Sequence, residues 1–208
     1  MTIIVTIGPT QEPLDAMRLI SNRSTGELGT RLAVKIAQAG HRVIALRGTG
    51  ATAGLVALDP ACHRVIPFTT TGDLRRELER LSKEEQTGAL FHAAAVSDFH
   101  LPGAGAGKIP TSDGSLTLTL EPTQKLLPLM RGWFPDARIT GWKFEASGDR
   151  DASLAAGRVQ IESYGTDACV VNGPSYGEGF GVLTKSGTLT RLRDREALCE
   201  HLAEKLPG

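Results

Sequence analysis

Residues 2–7 read Thr2-Ile3-Ile4-Val5-Thr6-Ile7, a continuous run of β-branched residues near the amino terminus. Such a run is typical of a strand that is buried on both faces, as in a parallel sheet. Gly8 and Pro9 follow it at once, and residues 31–39 then carry apolar side chains at helical spacing before Gly40. We therefore predict that the chain opens with a buried strand that leads through a loop into a helix.

The same alternation of short apolar runs and amphipathic stretches continues along the chain. It predicts strands at 42–46, 64–68, 90–96, 139–144 and 167–172, helices at 73–84, 152–163 and 193–205, and a hairpin of 181–184 with 188–192. Strands that alternate with helices pair in parallel through right-handed crossovers. The predicted fold is α/β and Rossmann-like, with a doubly wound, mostly parallel sheet and helices on both faces.

A projecting arm is predicted at about residues 100–122. Residues 116–120 read Leu-Thr-Leu-Thr-Leu, and this strict alternation is typical of a half-exposed strand. The glycine-rich segment 102–107 before it favours a mobile loop. We expect one domain over 1–208 that carries this arm, and a homodimer, because an uncovered apolar strand promotes association.

Composition excludes several classes of protein. The 208 residues hold 23 Lys and Arg against 23 Asp and Glu, so no overall charge attracts nucleic acid or an anionic membrane. No apolar run approaches the roughly 20 residues of a membrane span, and the amino terminus lacks a signal peptide, so we expect a cytoplasmic protein. Three unclustered cysteines indicate buried thiols rather than a disulfide framework or zinc site; they are Cys62, Cys169 and Cys199.

The loop after the first predicted strand is the first candidate binding site. Ligands of open α/β sheets bind beyond the carboxyl ends of the strands, and long ordered loops there tend to carry function. This loop ends in Ser24-Thr25-Gly26 and runs into a helix. Free backbone N–H groups and two hydroxyls would then meet at one point, which suits a phosphate. A Ser24 or Thr25 hydroxyl that only caps the helix explains the segment equally well.

A second candidate follows the strand predicted at 90–96. The small residues of Ala93-Ala94-Ala95 let a planar base or a ribose approach the backbone, and Asp98 suits a ribose hydroxyl or a hydrated cation. Asp98 is equally consistent with a simple turn residue. Lys108 is the cation of the glycine-rich loop, either solvated or placed to close over a polyphosphate.

Two other functions remain open from these residues. One is an NAD(P)-dependent oxidoreductase of short-chain type, although G-x-G-x-x-G is absent from the first turn and Arg47 and Gly48, rather than an acidic residue, follow the second strand. Tyr164 and Tyr176 also have no Lys four residues later. The other is a nucleotide-binding protein without catalysis.

Four motifs, taken in order, resemble those of the phosphopantothenate-cysteine ligase family. They are Gly-Pro-Thr-Gln-Glu-Pro-Leu-Asp at 8–15, Arg-Leu-Ile-Ser-Asn-Arg-Ser-Thr-Gly at 18–26, Ala-Ala-Val-Ser-Asp-Phe at 94–99 and Lys-Ile at 108–109. The resemblance spans nearly the whole chain. It implies the ligation of 4′-phosphopantothenate to cysteine through an acyl-nucleotide in coenzyme A biosynthesis, with CTP or ATP and Mg²⁺. It also implies a free-standing form, without the fused flavin-dependent decarboxylase of many bacteria.

The resemblance further implies roles for individual residues. Asn22 would turn over the acyl-nucleotide, and Lys108 and Arg18 would complete the catalytic set. The phosphate of the substrate would bind at Ser24, Thr25 and Gly26. The nucleotide would bind at Gly8, His92, Ala93, Ala94, Asp98, Lys108, Trp142, Lys143, Arg158 and Asn172. No metal ligand is implied.

The sequence also departs from the bacterial motifs of that family. Pro110 and Thr111 replace two lysines, residues 122–125 replace an Asn-Pro-Asp segment, and Arg158 lies where bacterial members carry phosphate-binding lysines. Ser97-Asp98-Phe99 and the Lys143 next to Trp142 resemble the ATP-using eukaryotic form more closely, so the choice between CTP and ATP stays open. With few cations for two anionic substrates, we expect modest nucleotide affinity and strong dependence on Mg²⁺.

Overall fold

A computed structural model describes residues 1–104, 107–110 and 115–206 of the chain. The strands within these ranges are β1 (Thr2–Ile7), β2 (Gln11–Pro13), β3 (Leu19–Ser21), β4 (Arg42–Gly48), β5 (Arg64–Phe68), β6 (Thr87–His92), β7 (Phe99–His100), β8 (Glu121–Pro122), β9 (Arg138–Phe144), β10 (Ala168–Asn172), β11 (Phe180–Thr184) and β12 (Leu189–Leu192). The helices are α1 (Glu27–Gln38), α2 (Leu55–Ala61), α3 (Thr71–Glu84), α4 (Leu127–Trp133), α5 (Arg150–Tyr164) and α6 (Arg195–Glu204).

Eight strands form the central sheet, in the order β12-β11-β10-β9-β6-β1-β4-β5. Six adjacent strands of this sheet pair in parallel: β10, β9, β6, β1, β4 and β5. The strands β11 and β12 add an antiparallel edge. The carboxyl ends of the parallel strands therefore meet along one side of the sheet, here called the carboxyl edge, opposite the amino edge. The predicted fold class is confirmed.

Alternate residues of the strands face opposite helical layers. Ile3, Val5 and Ile7 of β1 are fully buried in a cluster with side chains of α1, α2 and α6. Ile4 is buried in a second cluster with side chains of α3 and α4, beside which α5 packs on β10. The continuous apolar run of β1 is explained by this burial on both faces.

Several element boundaries differ from the predictions. The helix α1 begins at Glu27 rather than at residue 31, because Gly26 adopts a φ of 76° and starts it. The helices α2 and α4 and the small β2–β3 hairpin were not predicted. The strand predicted at 90–96 is β6, and it ends at His92 rather than at residue 96. Beyond that point the amide of Ala95 donates to Gly8 O (2.9 Å), so the backbone there bonds to a loop rather than continuing the sheet.

The strand predicted at 116–120 is wrong for the single chain. Residues 115–120 have no ladder partner among the described residues, and Leu116 and Leu120 are 57% and 37% exposed. The two-residue strands β7 and β8 pair instead, on either side of the segment. Alternation marks which side chains would share a face, but a strand also needs a partner backbone. Gly105, Ala106 and Thr111 lie outside the described residues.

The three cysteines are free and buried, as predicted. Burial raises the pKa of the Cys62 thiol to about 11 and those of Cys169 and Cys199 to about 12, which favours the unreactive thiol form. In the described part of the chain, no helix combines the length and the apolar character needed to cross a membrane.

Candidate functional site

Two glycines allow three segments to cross at the carboxyl edge. Gly8 and Gly26 have φ values of 80° and 76°, in the left-handed region that favours glycine. A Cβ at Gly8 would lie 2.6 Å from the Cβ of Ala51, and one at Gly26 would lie 2.9 Å from it. The end of β1, the start of α1 and the turn after β4 are therefore packed backbone to backbone.

The amino-terminal end of α1 leaves polar groups without partners. No side chain caps the helix at Gly26, although the Thr25 hydroxyl accepts a bond from the amide of Glu27 (3.3 Å). The amides of Leu28 and Gly29 have no acceptor among the described residues. Thr25 thus satisfies one amide of the first turn, and the remaining donors stay available to an anion.

Asn22 links the long loop of residues 8–26 to the loop that follows β6. Its Nδ2 donates to Val96 O at 2.9 Å, and the side chain is otherwise exposed. Within the same region, Ser97 N donates to the buried hydroxyl of Thr10 (2.9 Å), and Thr10 N donates to Ala95 O (3.2 Å). These bonds hold the Asn22 amide beside the backbone at 94–97.

His92 is a buried imidazole that contacts the hydroxyl of Thr6. Thr6 Oγ1 lies 2.9 Å from His92 Nδ1 and accepts a hydrogen bond from the amide of Ala94 (3.1 Å). The Thr6 hydroxyl therefore links the imidazole to the backbone that follows β6. Burial lowers the pKa of His92 to about 4, so the ring is neutral near pH 7. Sequence reasoning did not identify Thr6.

Arg18 and Lys108 are brought to the same loop cluster. Arg18 Nη1 donates to the buried carboxylate of Asp15 (2.7 Å) and to Ile109 O (3.3 Å), and Lys108 precedes Ile109. The amide of Ile109 above all, and then that of Met17, hold the pKa of Asp15 below its usual value although burial opposes the shift. Lys108 is exposed and forms no ion pair with a described residue. Asp15 was also not identified from the sequence.

Asp98 is exposed and already paired. Its Oδ1 contacts Lys125 Nζ, and both side chains are more than 60% exposed. The backbone oxygen of Asp98 accepts a bond from Thr123 N (2.8 Å). Lys125 therefore lies beside the carboxylate that was predicted to bind the nucleotide, and no periodic pattern in the sequence predicts that pairing.

Four further predicted residues lie on or near β9 and β10. Trp142 is partly buried against the α1, α2 and α6 cluster, and Lys143 pairs with Glu145 (3.2 Å). Asn172 O accepts a bond from Glu145 N (2.9 Å), which ties the ends of the two strands together. Arg158 lies exposed in the middle of α5 and forms no hydrogen bond or ion pair with the described side chains, so no contact joins it to the carboxyl edge.

The described cavities lie elsewhere. One of about 530 Å³ lies at the amino edge between Arg131, Asp167 and Lys185, and one of about 440 Å³ lies between α1 and α2. A third of about 270 Å³ is lined by α6 and the β11–β12 hairpin. Residues predicted for the site line none of these three. In the described ranges no three His, Cys, Asp or Glu side chains are grouped to hold a metal ion.

The sequence matches a known family over almost its whole length. The family described as "DNA/pantothenate metabolism flavoprotein C-terminal domain" matches residues 1–205. The Coenzyme A biosynthesis bifunctional protein CoaBC of Mycolicibacterium smegmatis is 31% identical over 210 residues, which cover 98% of this chain and 49% of that protein. The chain thus spans about half the length of that curated relative.

Two other similarities extend the comparison. The phosphopantothenate--cysteine ligase of Mus musculus is 26% identical over 223 residues, which cover 82% of this chain and 71% of that protein. The solved structure of the DNA/pantothenate metabolism flavoprotein from Streptococcus pneumoniae superimposes with a TM-score of 0.85 at 24% identity, covering 99% of this chain and 97% of that one. At this identity the superposition shows the shared fold.

Proposed function

The chain belongs to the DNA/pantothenate metabolism flavoprotein C-terminal domain family, and on that premise we propose that it joins 4′-phosphopantothenate to cysteine at the expense of a nucleoside triphosphate. The reaction passes through an acyl-nucleotide and serves coenzyme A biosynthesis. The names of the bifunctional relative and of the mouse ligase support this assignment.

One observation carries the proposal: the loop of residues 8–26 carries Arg18 and Asn22 to the carboxyl edge and leads into α1. Asn22 is bonded to Val96 O, beside the small residues 93–95, and Arg18 is bonded to the backbone next to Lys108. The open amides of α1 lie behind the same loop. A donor, a cation and an anion-binding helix end are thus supplied by one loop cluster.

The first step needs charge stabilisation. A carboxylate oxygen of phosphopantothenate attacks the α-phosphorus of the nucleotide, the bond from that phosphorus to the bridging oxygen breaks, and pyrophosphate leaves. Negative charge builds on the phosphate oxygens, and the Lys108 ammonium is the cation placed to stabilise it. Arg18 is engaged by Asp15, so its role is to order the loop that carries Lys108.

The second step needs a neutral donor. The amine of cysteine attacks the acyl carbon, the carbon–oxygen bond to the nucleotide breaks, and the nucleoside monophosphate leaves while the amine loses a proton to solvent. The oxygen of the acyl group becomes negative during the attack. One N–H of the Asn22 side-chain amide donates to Val96 O. The second N–H donates to the oxygen of the acyl group.

The two substrates bind on opposite sides of Asn22. The phosphate of phosphopantothenate binds at Ser24, Thr25 and Gly26, where the α1 amides are open. The nucleotide lies along the backbone at 92–94 and reaches Gly8, Asp98, Trp142, Lys143 and Asn172. Arg158 remains a predicted nucleotide contact that depends on a rearrangement of its side chain, because it lies exposed on α5.

Mg²⁺ fits this chain as a companion of the triphosphate. Mg²⁺ is commonly held by one or two carboxylates together with substrate phosphates and water. Asp98 is a single exposed carboxylate bound to Lys125, so the phosphates supply most of the ligands. When bound, the ion neutralises phosphate charge. Both CTP and ATP remain candidates, and the trial of both belongs to the same assay.

The protein acts as a homodimer in the cytoplasm. Apolar side chains near the arm are exposed in the single chain: Met17 (73%), Leu19 (49%), Phe99 (49%) and Leu116 (57%). A second copy that covers them removes an apolar patch from water. Sedimentation at micromolar concentration is expected to give the dimer mass, and a monomer would contradict this part of the proposal.

A pyrophosphate-release assay tests the function. Phosphopantothenate is offered with CTP or ATP, with and without cysteine, and with or without a chelator of Mg²⁺. We expect release with at least one nucleotide, amide product only when cysteine is present, and no release with the chelator. Absence of release with either nucleotide would reject the ligase. Binding of the nucleotide without release of pyrophosphate would indicate the non-catalytic alternative. Reduction of added NAD(P)⁺ would indicate the oxidoreductase.

A further inference from the structure

The Asp15 carboxylate uses its two oxygens for different tasks. Oδ1 accepts hydrogen bonds from the amides of Met17 (2.8 Å) and Arg18 (2.7 Å), both within its own turn. Oδ2 accepts from Arg18 Nη1 (2.7 Å) and from the amide of Ile109 (3.0 Å), which is 94 residues away in sequence. Four donors therefore surround one carboxylate whose side chain is only 1% exposed.

Contacts with the turn at 15–18 fix the backbone on both sides of Lys108. Ile109 donates its N–H to Asp15 and accepts a bond from Arg18 Nη1 through its carbonyl (3.3 Å). On the other side, Gly107 O accepts a bond from Ala16 N (3.4 Å). The backbone of 107–109 is thereby attached to the turn at 15–18, while the Lys108 side chain extends to solvent.

We propose that Asp15 is a positioning residue that holds the backbone of Lys108 at the long loop of residues 8–26, by binding the amide of Ile109 and orienting Arg18. This inference rests on the proposed function, in which Lys108 stabilises the phosphate charge. A lysine side chain has a flexible four-carbon stem, so the position of its ammonium group depends on how firmly its backbone is held. Anchoring that backbone removes much of the loop entropy before the substrate binds.

The substitution Asp15→Asn separates the two tasks. The side-chain amide keeps an oxygen toward the amides of Met17 and Arg18, so the turn survives. It places an NH₂ group where Oδ2 stood, and donors then face the Ile109 amide and the Arg18 guanidinium. The attachment of the loop is lost, while the volume of the side chain is unchanged.

Asp167→Asn is a matched control at the amino edge. Asp167 Oδ2 also accepts bonds from an arginine, Arg131 Nη2 (2.6 Å), and from a distant backbone amide, that of Ile139 (2.8 Å). It contacts no residue of the proposed site. We expect Asp15→Asn to lower the rate of pyrophosphate release about 10²-fold, as a misplaced catalytic group does, and Asp167→Asn to leave that rate within about twofold when assayed well below its melting temperature.

A double mutant shows whether Asp15 acts through Lys108. Added to Lys108→Ala, the Asp15→Asn change is expected to cause no further loss of rate, because the group that it positions is already gone. A further loss as large as that seen in the wild-type background would overturn the proposal. Ile109→Pro removes the N–H donor and leaves Asp15 in place, at the cost of a changed side chain and a restricted Lys108 backbone, and should reproduce the effect if Asp15→Asn does not fold.

Hydrogen exchange supplies a readout that needs no ligase activity. The amide of Ile109 should exchange slowly in the wild type and in Lys108→Ala, and much faster in Asp15→Asn, while Asp167→Asn leaves it unchanged. Unchanged exchange at Ile109 in Asp15→Asn would overturn the proposal. If exchange accelerates as expected but the wild type releases no pyrophosphate, the loop attachment stands and the proposed function fails.

Discussion

The two edges of the sheet handle their polar groups in opposite ways. At the amino edge, the Arg131 guanidinium donates to the carbonyl oxygens of Gly165, Phe134, Pro135 and Ala137 and to Asp167. At the carboxyl edge, the amides of Leu28 and Gly29 have no acceptor, and Lys108 has no ion-pair partner, among the described residues. The first network is complete within the protein, whereas the second is open.

This difference shows why cavity volume alone misplaces the site. The amino edge holds a cavity of about 530 Å³, yet the arginine and the aspartate that line it already satisfy each other. Polar groups that are fully bonded offer little to a ligand, because any new bond must replace an existing one. Groups held in position without a partner are the better guide to an anion site.

The largest expected effect comes from removing the lysine of one edge and comparing it with a lysine of the other. Lys108→Ala should lower the rate of pyrophosphate release by about 10² to 10³, the usual cost of losing one charge-stabilising group. Lys185→Ala removes an exposed loop lysine at the amino edge and should change the rate less than about twofold. The assay is the initial rate at saturating nucleotide. Equal losses would mean that the two edges do not differ in function.

The histidines of the two edges should differ in how they link stability to pH. The pKa of His92 is lowered to about 4 by burial, whereas an unfolded chain has about 6.5. Between these values the unfolded chain binds a proton that the folded chain does not, so stability falls as pH drops from 6.5 to 4, by about 3 kcal/mol in total. Above pH 6.5 the term is constant.

Urea unfolding at pH 7 and pH 4.5 measures this term. His92→Asn should flatten the dependence on pH, because the titrating group is gone. His201→Asn is the control: burial and then the nearby Lys205 lower its pKa as well, but this ring is half-buried and should contribute less. Parallel pH curves for the wild type and His92→Asn would contradict the burial argument.

The sequence predicted the sheet better than the site. The run at 2–7 became a fully buried strand because its residues fill both faces of the core, and that demand is visible as composition. The runs at 64–68 and 139–144 also became strands, although only part of each is buried. Motif resemblance placed Asn22 and the 94–98 loop together, and their contact through Val96 O agrees with that placement. Whether the site residues act as assigned stays a prediction.

What the sequence did not show depends on long-range hydrogen bonds. Thr6 and Asp15 look like an ordinary strand residue and an ordinary turn residue, and they gain their importance from partners 86 and 94 residues away. The prediction of a strand at 116–120 was wrong for a related reason: the segment has the local pattern of a strand, but no backbone within the described chain pairs with it. Local periodicity reports burial, but it does not report which distant group completes a bond.

A glycine from each edge tests how tightly the carboxyl edge is packed. Gly26 and Gly187 both have positive φ, 76° and 88°. A Cβ at Gly26 meets Ala51 at 2.9 Å and Ile7 at 3.2 Å, but one at Gly187 meets no atom within 4 Å. Gly187→Ala should lower the free energy of unfolding by about 1 kcal/mol for the backbone alone, and Gly26→Ala by about 3 kcal/mol through added overlap. Equal losses in urea titrations would mean that the crossing yields easily.

The smallest effect is expected at the exposed ion pair of the carboxyl edge, compared with the ion pair of the amino edge. Lys125 and Asp98 are 64% and 62% exposed, so Lys125→Ala should change the free energy of unfolding by less than about 1 kcal/mol. Arg131 and Asp167 are only 31% and 35% exposed, and Arg131 also binds four carbonyl oxygens, so Arg131→Ala should cost about 2 kcal/mol or more.

The same Lys125→Ala variant probes whether Asp98 binds the nucleotide. Without Lys125, the Asp98 carboxylate is free to accept a hydrogen bond from a ribose hydroxyl. The affinity for the preferred nucleotide, measured by calorimetry, should therefore rise by a few-fold, while the free energy of unfolding changes by less than about 1 kcal/mol. Asp98→Asn in the same background should then remove that change. If neither Lys125→Ala nor Asp98→Asn alters the affinity, the pair is a surface contact like those elsewhere on the molecule, and the nucleotide binds at the carboxyl edge without Asp98.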